Sequence, residues 1–200
     1  MPSQSKAGQN VPLIFVFLGG ELPSYAEASL RFASSNYSGQ VVLLSDTLDS
    51  DSNADFHTLD IRPWYDRNLF GKFRAKSSLD EEFRGGFWLR AVERFFVLEQ
   101  FMARRGLNRI FHAELDVMVF DLEGVSKTCD SHGSGIFSVM DSPNRSLASL
   151  FYVNSQNAFR HFLAYLLDAP ADRNEMELLG EYTRANPTRG HAFPSESALD

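Results

Sequence analysis

The stretch Arg109–Phe120, RIFHAELDVMVF, decides how the whole chain is read. It follows the helix-ending RRGLN and is rich in aliphatic and aromatic residues, so it reads as a strand. His112, Glu114 and Asp116 interrupt it at i, i+2 and i+4. Side chains in a strand alternate faces with period two, so these three are expected to point the same way. Phe111, Ala113, Leu115, Val117 and Val119 make the other, apolar face, while Ile110, Met118 and Phe120 share the polar side. Two carboxylates embedded in such a row carry a large desolvation cost unless a cation or hydrogen-bonding groups meet them. The plain alternative is the solvated side of an edge strand, which spacing alone favours somewhat. His112 by itself reads as structural, bonded to backbone or to a neighbouring carboxylate.

Working outward, FWLRAVERFFVLEQFMARRG feeds this strand as a helix. Trp88, Val92, Phe95, Leu98 and Met102 recur at three- and four-residue steps as a core stripe, and Gly106 caps the end. Arg90 and Arg94 fall on another face, one turn apart, where arginines are more often surface ion-pair partners, for instance of Glu93. Near the start, LIFVFL, Leu13–Leu18, closed by Gly19 and Gly20, looks like a strand buried on both faces. PSYAEASLRFASSN follows as a helix with Pro23 in its first turn and Tyr25, Ala28, Leu30 and Phe32 for packing, and QVVLLSD is a second buried strand ending at Asp46. Together these make a βαβ unit. TLDSDSNAD reads as an acidic loop and FHTLDI as a short third strand. Pro63, Gly71 and Gly85-Gly86 break up the region from Arg62 to Gly86, which gives no clear element. DLEGVSKTCDSHGSG reads as a polar loop. Strands at IFSVM and SLFYVN follow, then helices at Ser155–Leu167 and Asp172–Ala185, and an irregular end, NPTRGHAFPSESALD. The alternation predicts an α/β sandwich with a mostly parallel central sheet flanked by helices.

Composition narrows the function. The chain has 200 residues, enough for one domain. We expect a polar N-terminal tail over 1–10 and a single domain over 11–200. A hydrophobic content of 44% with 18 Phe argues for a packed core rather than disorder. A net charge of −7 without a long basic run speaks against general binding to nucleic acid or to an anionic membrane. Cys129 is the only cysteine, which removes an internal disulfide and a cysteine-rich zinc site. VPLIFVFLGG is too short to span a bilayer, and MPSQSKAGQN lacks the pattern of a signal peptide. A cytoplasmic location is expected, with membrane-peripheral association left open.

In open α/β sheets ligands bind beyond the carboxyl ends of strands. Gly19, Asp46 and the Glu114–Asp116 pair fall at or near such ends and are expected on one rim, the two carboxylates with Cα atoms roughly 6.6 Å apart. A divalent cation, Mn²⁺ or Mg²⁺, typically takes one or two protein carboxylates and completes its shell with substrate phosphates. Gly19-Gly20 alone is more often a turn than a phosphate cradle, since no full GxGxxG is present.

VFLGGELPSYAEASLRFASSNYSGQVVLLSD followed by FWLRAVERFFVLEQFMARRGLNRIFHAELDVMVF resembles the nucleotide-sugar-dependent glycosyltransferases of the GT-A fold. Glu114-Leu115-Asp116 stands where that family has its DxD motif, departing from it in the first position. The resemblance covers Val11–Phe120 and is looser over Ile136–Glu181; it implies a nucleotide-binding half at about 11–121 and an acceptor-side half at about 122–200. It implies Asp116 as a metal ligand with Glu114 as its partner in metal or ribose binding. It also implies Gly19 and Asp46 at the base and ribose, and Arg90 at the nucleotide or phosphate. A late histidine often completes the metal site, which points to His191, and an inverting enzyme needs a carboxylate base, for which Glu175 and Glu177 are candidates. For both, a solvated helix face is the simpler reading. Partners implied are a nucleotide-diphosphate sugar donor and a carbohydrate or other hydroxyl acceptor. The family usually continues beyond this length, so a minimal or truncated member is expected. Two other readings stay open: a metal-dependent phosphohydrolase using the same carboxylates with His112 as ligand or base, and a non-catalytic sugar- or partner-binding relative.

Overall fold

The apolar runs of the sequence become the inner strands of one sheet. The computed structural model describes residues 10–52 and 55–194; of the expected tail only Asn10 falls within them, and 195–200 of the irregular end fall outside. The strands are β1 (Leu13–Phe17), β2 (Val41–Ser45), β3 (Asp51–Ser52), β4 (His57–Asp60), β5 (Ile110–Ala113), β6 (Ile136–Ser142), β7 (Arg145–Val153) and β8 (Gly190–Ala192). They form a sheet of order β3-β4-β2-β1-β5-β7-β6-β8. β4, β2, β1 and β5 are mutually parallel, and β6 and β8 run the same way; only β3 and β7 are reversed. The sheet is therefore mixed and mostly parallel, as the strand–helix alternation predicts.

The helices are α1 (Ala26–Asn36), α2 (Asn68–Lys76), α3 (Phe87–Arg105), α4 (Glu123–Ser131), α5 (Gln156–Asp168) and α6 (Glu175–Ala185). Alternate strand residues feed two cores. Ile14, Val42, Leu44, Ile110 and Phe151 pack with α2, α3, α5 and α6 on one face. Leu13, Phe15, Val41, Leu43, Phe111 and Tyr152 pack with α1 and α4 on the other. Both faces of β1 and β2 are covered, which is why these strands read as unbroken apolar runs.

Several expectations are corrected. The strand from Arg109 ends at Ala113, and the chain turns at Glu114, whose carbonyl accepts from Val117 N–H at 3.0 Å. Met118 and Phe120 are 53% and 64% exposed, so no apolar row surrounds the carboxylates. In α3 the core stripe runs through Leu89, not Trp88, whose ring stacks on Phe83 outside the core. α1 begins at Ala26, beyond Pro23, and buries Ala26, Ser29, Leu30 and Ala33, leaving Tyr25 52% exposed. The breaks at Pro63 and Gly71 hid α2, whose apolar face is just Phe70 and Phe73. The supposed polar loop after Phe120 holds α4, anchored by Cys129. The acidic loop holds β3, a two-residue strand that folds back on the nearby β4, and the irregular end holds β8, which gains its backbone partner only from β6, a strand distant in sequence.

Candidate functional site

Because β1, β2 and β5 are parallel and in register, their carboxyl ends reach one edge of the sheet. The segments leaving them are Leu18-Gly19-Gly20, Asp46 and Glu114-Leu115-Asp116. Between the first and third lies a cleft of about 430 Å³, lined among others by Gly19, Arg84, Arg90, Arg94, Glu114 and Asp116. A second cavity, of about 460 Å³, adjoins it and shares Gly19, Gly85 and Arg90; Asp46, Arg67 and Glu93 line this one. The rim expected from sequence thus exists, but a wall separates Asp46 from the carboxylates.

Arg90 is that wall. It rises from the first turn of α3, donates from Nη1 to the Leu18 carbonyl at 2.7 Å and from Nε to the Gly85 carbonyl at 3.0 Å. Gly19 makes room for it: a Cβ there would lie 1.5 Å from Arg90 Nη1, and Gly19 has φ +63°, the left-handed region. Asp46 holds the turn from the other side. Its Oδ1 accepts from Gly19 N–H at 2.6 Å and its Oδ2 from Arg67 Nη2 at 2.7 Å. Both carboxylate oxygens are engaged, so Asp46 organises the strand end and offers a ribose no oxygen without a present partner. Arg67 in turn donates from Nε to Glu93 at 3.0 Å. Burial raises the Glu93 pKa above the ordinary carboxylate range, with Arg67 opposing.

The trio His112, Glu114 and Asp116 separates. His112 is fully buried on the α3 side of the sheet, its ring against Phe151. Its Nδ1 lies 2.9 Å from the Ile14 carbonyl; a carbonyl only accepts, so Nδ1 carries the hydrogen and Nε2 is an acceptor. Burial, reinforced by the Arg94 charge, holds its pKa well below the usual histidine value, so the ring is neutral at neutral pH. Glu114 is half-buried and paired with Arg94 Nη1. Asp116 is exposed at the turn and opens to the cleft. Leu115 between them is buried against the α1 side, as expected.

Arg94 is the residue the sequence reading undervalued. It is not a surface partner of Glu93: its side chain is 8% exposed, bonded to Glu114, with Glu175 Oε1 4.0 Å from Nη2. The one available signal was its phase, two residues after Val92 and one before Phe95 in the core stripe. The two candidate bases fare differently. Glu177 belongs to the cap of α6: Asn174 Oδ1 accepts from the N–H groups of Met176 and Glu177, and Glu177 Oε2 accepts from Asn174 N–H at 3.1 Å. Glu175 is buried behind Arg94 and does not line the cleft. His191 lies on β8 with its ring stacked on Phe137 at 4.6 Å. β8 is three strands from β5, about 14 Å at ordinary strand spacing, so His191 cannot share an ion with Asp116.

Among the described residues no group of three or more His, Cys, Asp or Glu converges as a preformed metal site. The donor set fits an ion completed by substrate: Asp116 free at the rim, Glu114 next to it, and phosphate oxygens for the remaining positions. No protein-family model matches the chain, and no curated protein matches it in sequence.

Proposed function

We infer that the protein is a glycosyltransferase of GT-A-like architecture, using a nucleotide-diphosphate sugar with Mn²⁺ or Mg²⁺. One observation carries this reading: Gly19, Arg90, Glu114 and Asp116, four residues the resemblance assigns to the donor, line a single cleft at the carboxyl ends of parallel strands. The nucleotide lies along Gly19 and Arg90, and its diphosphate reaches toward Asp116. Arg84 and Arg90 on the wall offset phosphate charge. Asp116 would hold the ion with Glu114 beside it, and the ion supplies neutralisation of the nucleoside diphosphate as it leaves. Tyr25, Phe87 and Leu115 give the cleft part of an apolar lining against which the sugar ring can pack. The acceptor hydroxyl attacks the anomeric carbon from the open side as the bond from that carbon to the diphosphate breaks, and its proton passes to the departing diphosphate or to solvent. Neither Glu175 nor Glu177 opens there, so neither serves as its base. The phosphohydrolase reading loses its histidine, since His112 is fully buried and does not line the cleft.

The test is a thermal-shift panel of ADP, GDP and UDP with and without Mn²⁺. A ligand bound only to the native state raises apparent stability by mass action. We expect one nucleotide to raise the Tm of the wild type only when Mn²⁺ is present, and Asp116→Asn to abolish the shift while keeping the fold. A wild type indifferent to all three, or an Asp116→Asn variant that binds as before, overturns the reading.

A further inference from the structure

At the floor of the cleft lies a largely buried polar cluster of which the reading above uses only Glu114. Arg94 comes from the middle of α3, Glu114 from the turn after β5, and Glu175 from the first residue of α6. Arg94 and Glu175 are 6% and 3% exposed. Arg94 spends one bond on Glu114, while its Nε and Nη2 have no hydrogen-bond partner. Glu175 Oε2 and His112 Nε2 are likewise unpartnered. Glu175 Oε1 stands 4.0 Å from Arg94 Nη2, inside ion-pair range and short of a hydrogen bond. One guanidinium therefore faces two carboxylates and is fully engaged by one.

We propose that Arg94 exchanges partners, holding Glu114 while the cleft is empty and turning to Glu175 when a divalent cation with its diphosphate engages Glu114. Glu175 is then a positioning residue acting through Arg94. The reason is the cost of a stranded charge. Removing one member of a buried ion pair leaves an uncompensated ion, which is strongly destabilising. Glu114 can be drawn toward a cation only if Arg94 has another anion within reach, and Glu175 supplies one after a movement of about 1 Å, the difference between 4.0 Å and a bond. Of the two empty donors on Arg94, Nη2 is the one within ion-pair range of Glu175, and the lone pair on His112 Nε2 is a further acceptor on the same side of the sheet. Burial raises the Glu175 pKa and Arg94 opposes the shift; Glu114 and Arg145 are the other charges that act on it. Turning Arg94 toward Glu175 strengthens the attraction that keeps this carboxylate charged.

The exchange, as applied to cation binding, rests on the function proposed above, but its core can be tested without ligand. Glu114→Gln imitates Glu114 released from Arg94. Unfolding of the wild type, Glu114→Gln, Glu175→Gln and the double variant would be compared, and the cycle repeated in an Arg94→Met background. Each single substitution should lower Tm modestly, and the double should lose clearly more than their sum, because only then is Arg94 stranded. With Met at position 94 the excess should vanish. An additive cycle overturns the exchange. A second arm follows Mn²⁺ alone and Mn²⁺ with the nucleotide selected above. Glu175→Gln should weaken Mn²⁺-dependent binding about tenfold, and adding Arg94→Met should restore much of it. Unchanged binding in Glu175→Gln also overturns the exchange. A coupled cycle in a protein that binds neither Mn²⁺ nor nucleotide would leave Arg94 with two partners and dismiss the glycosyltransferase reading instead.

Discussion

Single residues at the rim are held in conformations that ordinary side chains avoid. Gly19 at φ +63° gives up its Cβ position to the Arg90 guanidinium, whereas Gly20 at φ +77° has nothing within 4 Å of a Cβ. Gly20→Ala should therefore cost only the left-handed backbone penalty, about 1–2 kcal/mol. Gly19→Ala should cost more and free Arg90 from the Leu18 carbonyl. Urea denaturation of the two variants measures the difference, and equal losses would show that Arg90 is not seated there. His112 gives a second test, through pH. Its folded pKa lies below the unfolded value of 6.5, so the unfolded chain takes up a proton that the folded chain refuses. Stability from this residue is complete above 6.5 and declines as pH falls through that value toward the folded pKa. His112→Asn keeps a donor near the Ile14 carbonyl but does not titrate. Without added metal, wild type should lose stability faster than the variant from about pH 7 to pH 5. Parallel curves would place the titration elsewhere.

At the scale of elements, α6 matters most, because its first turn presents Glu175. Asn174 and Glu177 form a reciprocal cap that satisfies N–H groups at the helix start. Asn174→Ala should cost about 1 kcal/mol. It should also loosen Glu175, so that Mn²⁺-dependent nucleotide binding falls together with stability. Loss of stability with unchanged binding would separate the cap from the site. α3 is built in the same economical way. Gly106 ends it in the left-handed region, Arg104 and Arg105 sit in its last turn, and its long buried face fixes where Arg90 and Arg94 emerge.

In the whole molecule, the sheet joins both parts of the chain: β7 inserts between β5 and β6, and α6 reaches back to the cleft through Arg94. The face bearing α1 and α4 is closed at Cys129, whose thiol is fully buried and pushed up to about 12 by burial, with Asp130 adding to the shift. It should resist a thiol reagent at about pH 8 in the native protein and react only on unfolding. Rapid labelling without denaturant would show that α4 opens locally. No helix among the described residues is long and apolar enough to cross a membrane.

What the sequence determined by itself was whatever depends on local pattern. Unbroken apolar runs marked β1 and β2, three- and four-residue periodicity marked α3, and the carboxyl ends of parallel strands placed Gly19 and Asp116 on one rim. Short elements escaped because they carry too little pattern to read: β3 and β8 hold only two and three residues, and α2 buries a bare pair of Phe. Tertiary structure alone decided the fate of each charged candidate. Glu114 and Asp116 follow one another in sequence at strand spacing, yet the strand stops at Ala113, so alternation no longer governs them. Arg94, Glu114 and Glu175 are scattered along the chain and meet only when α3, β5 and α6 pack. Which charge is paired, capped or open is a property of distances across elements, and local periodicity carries no information about those distances.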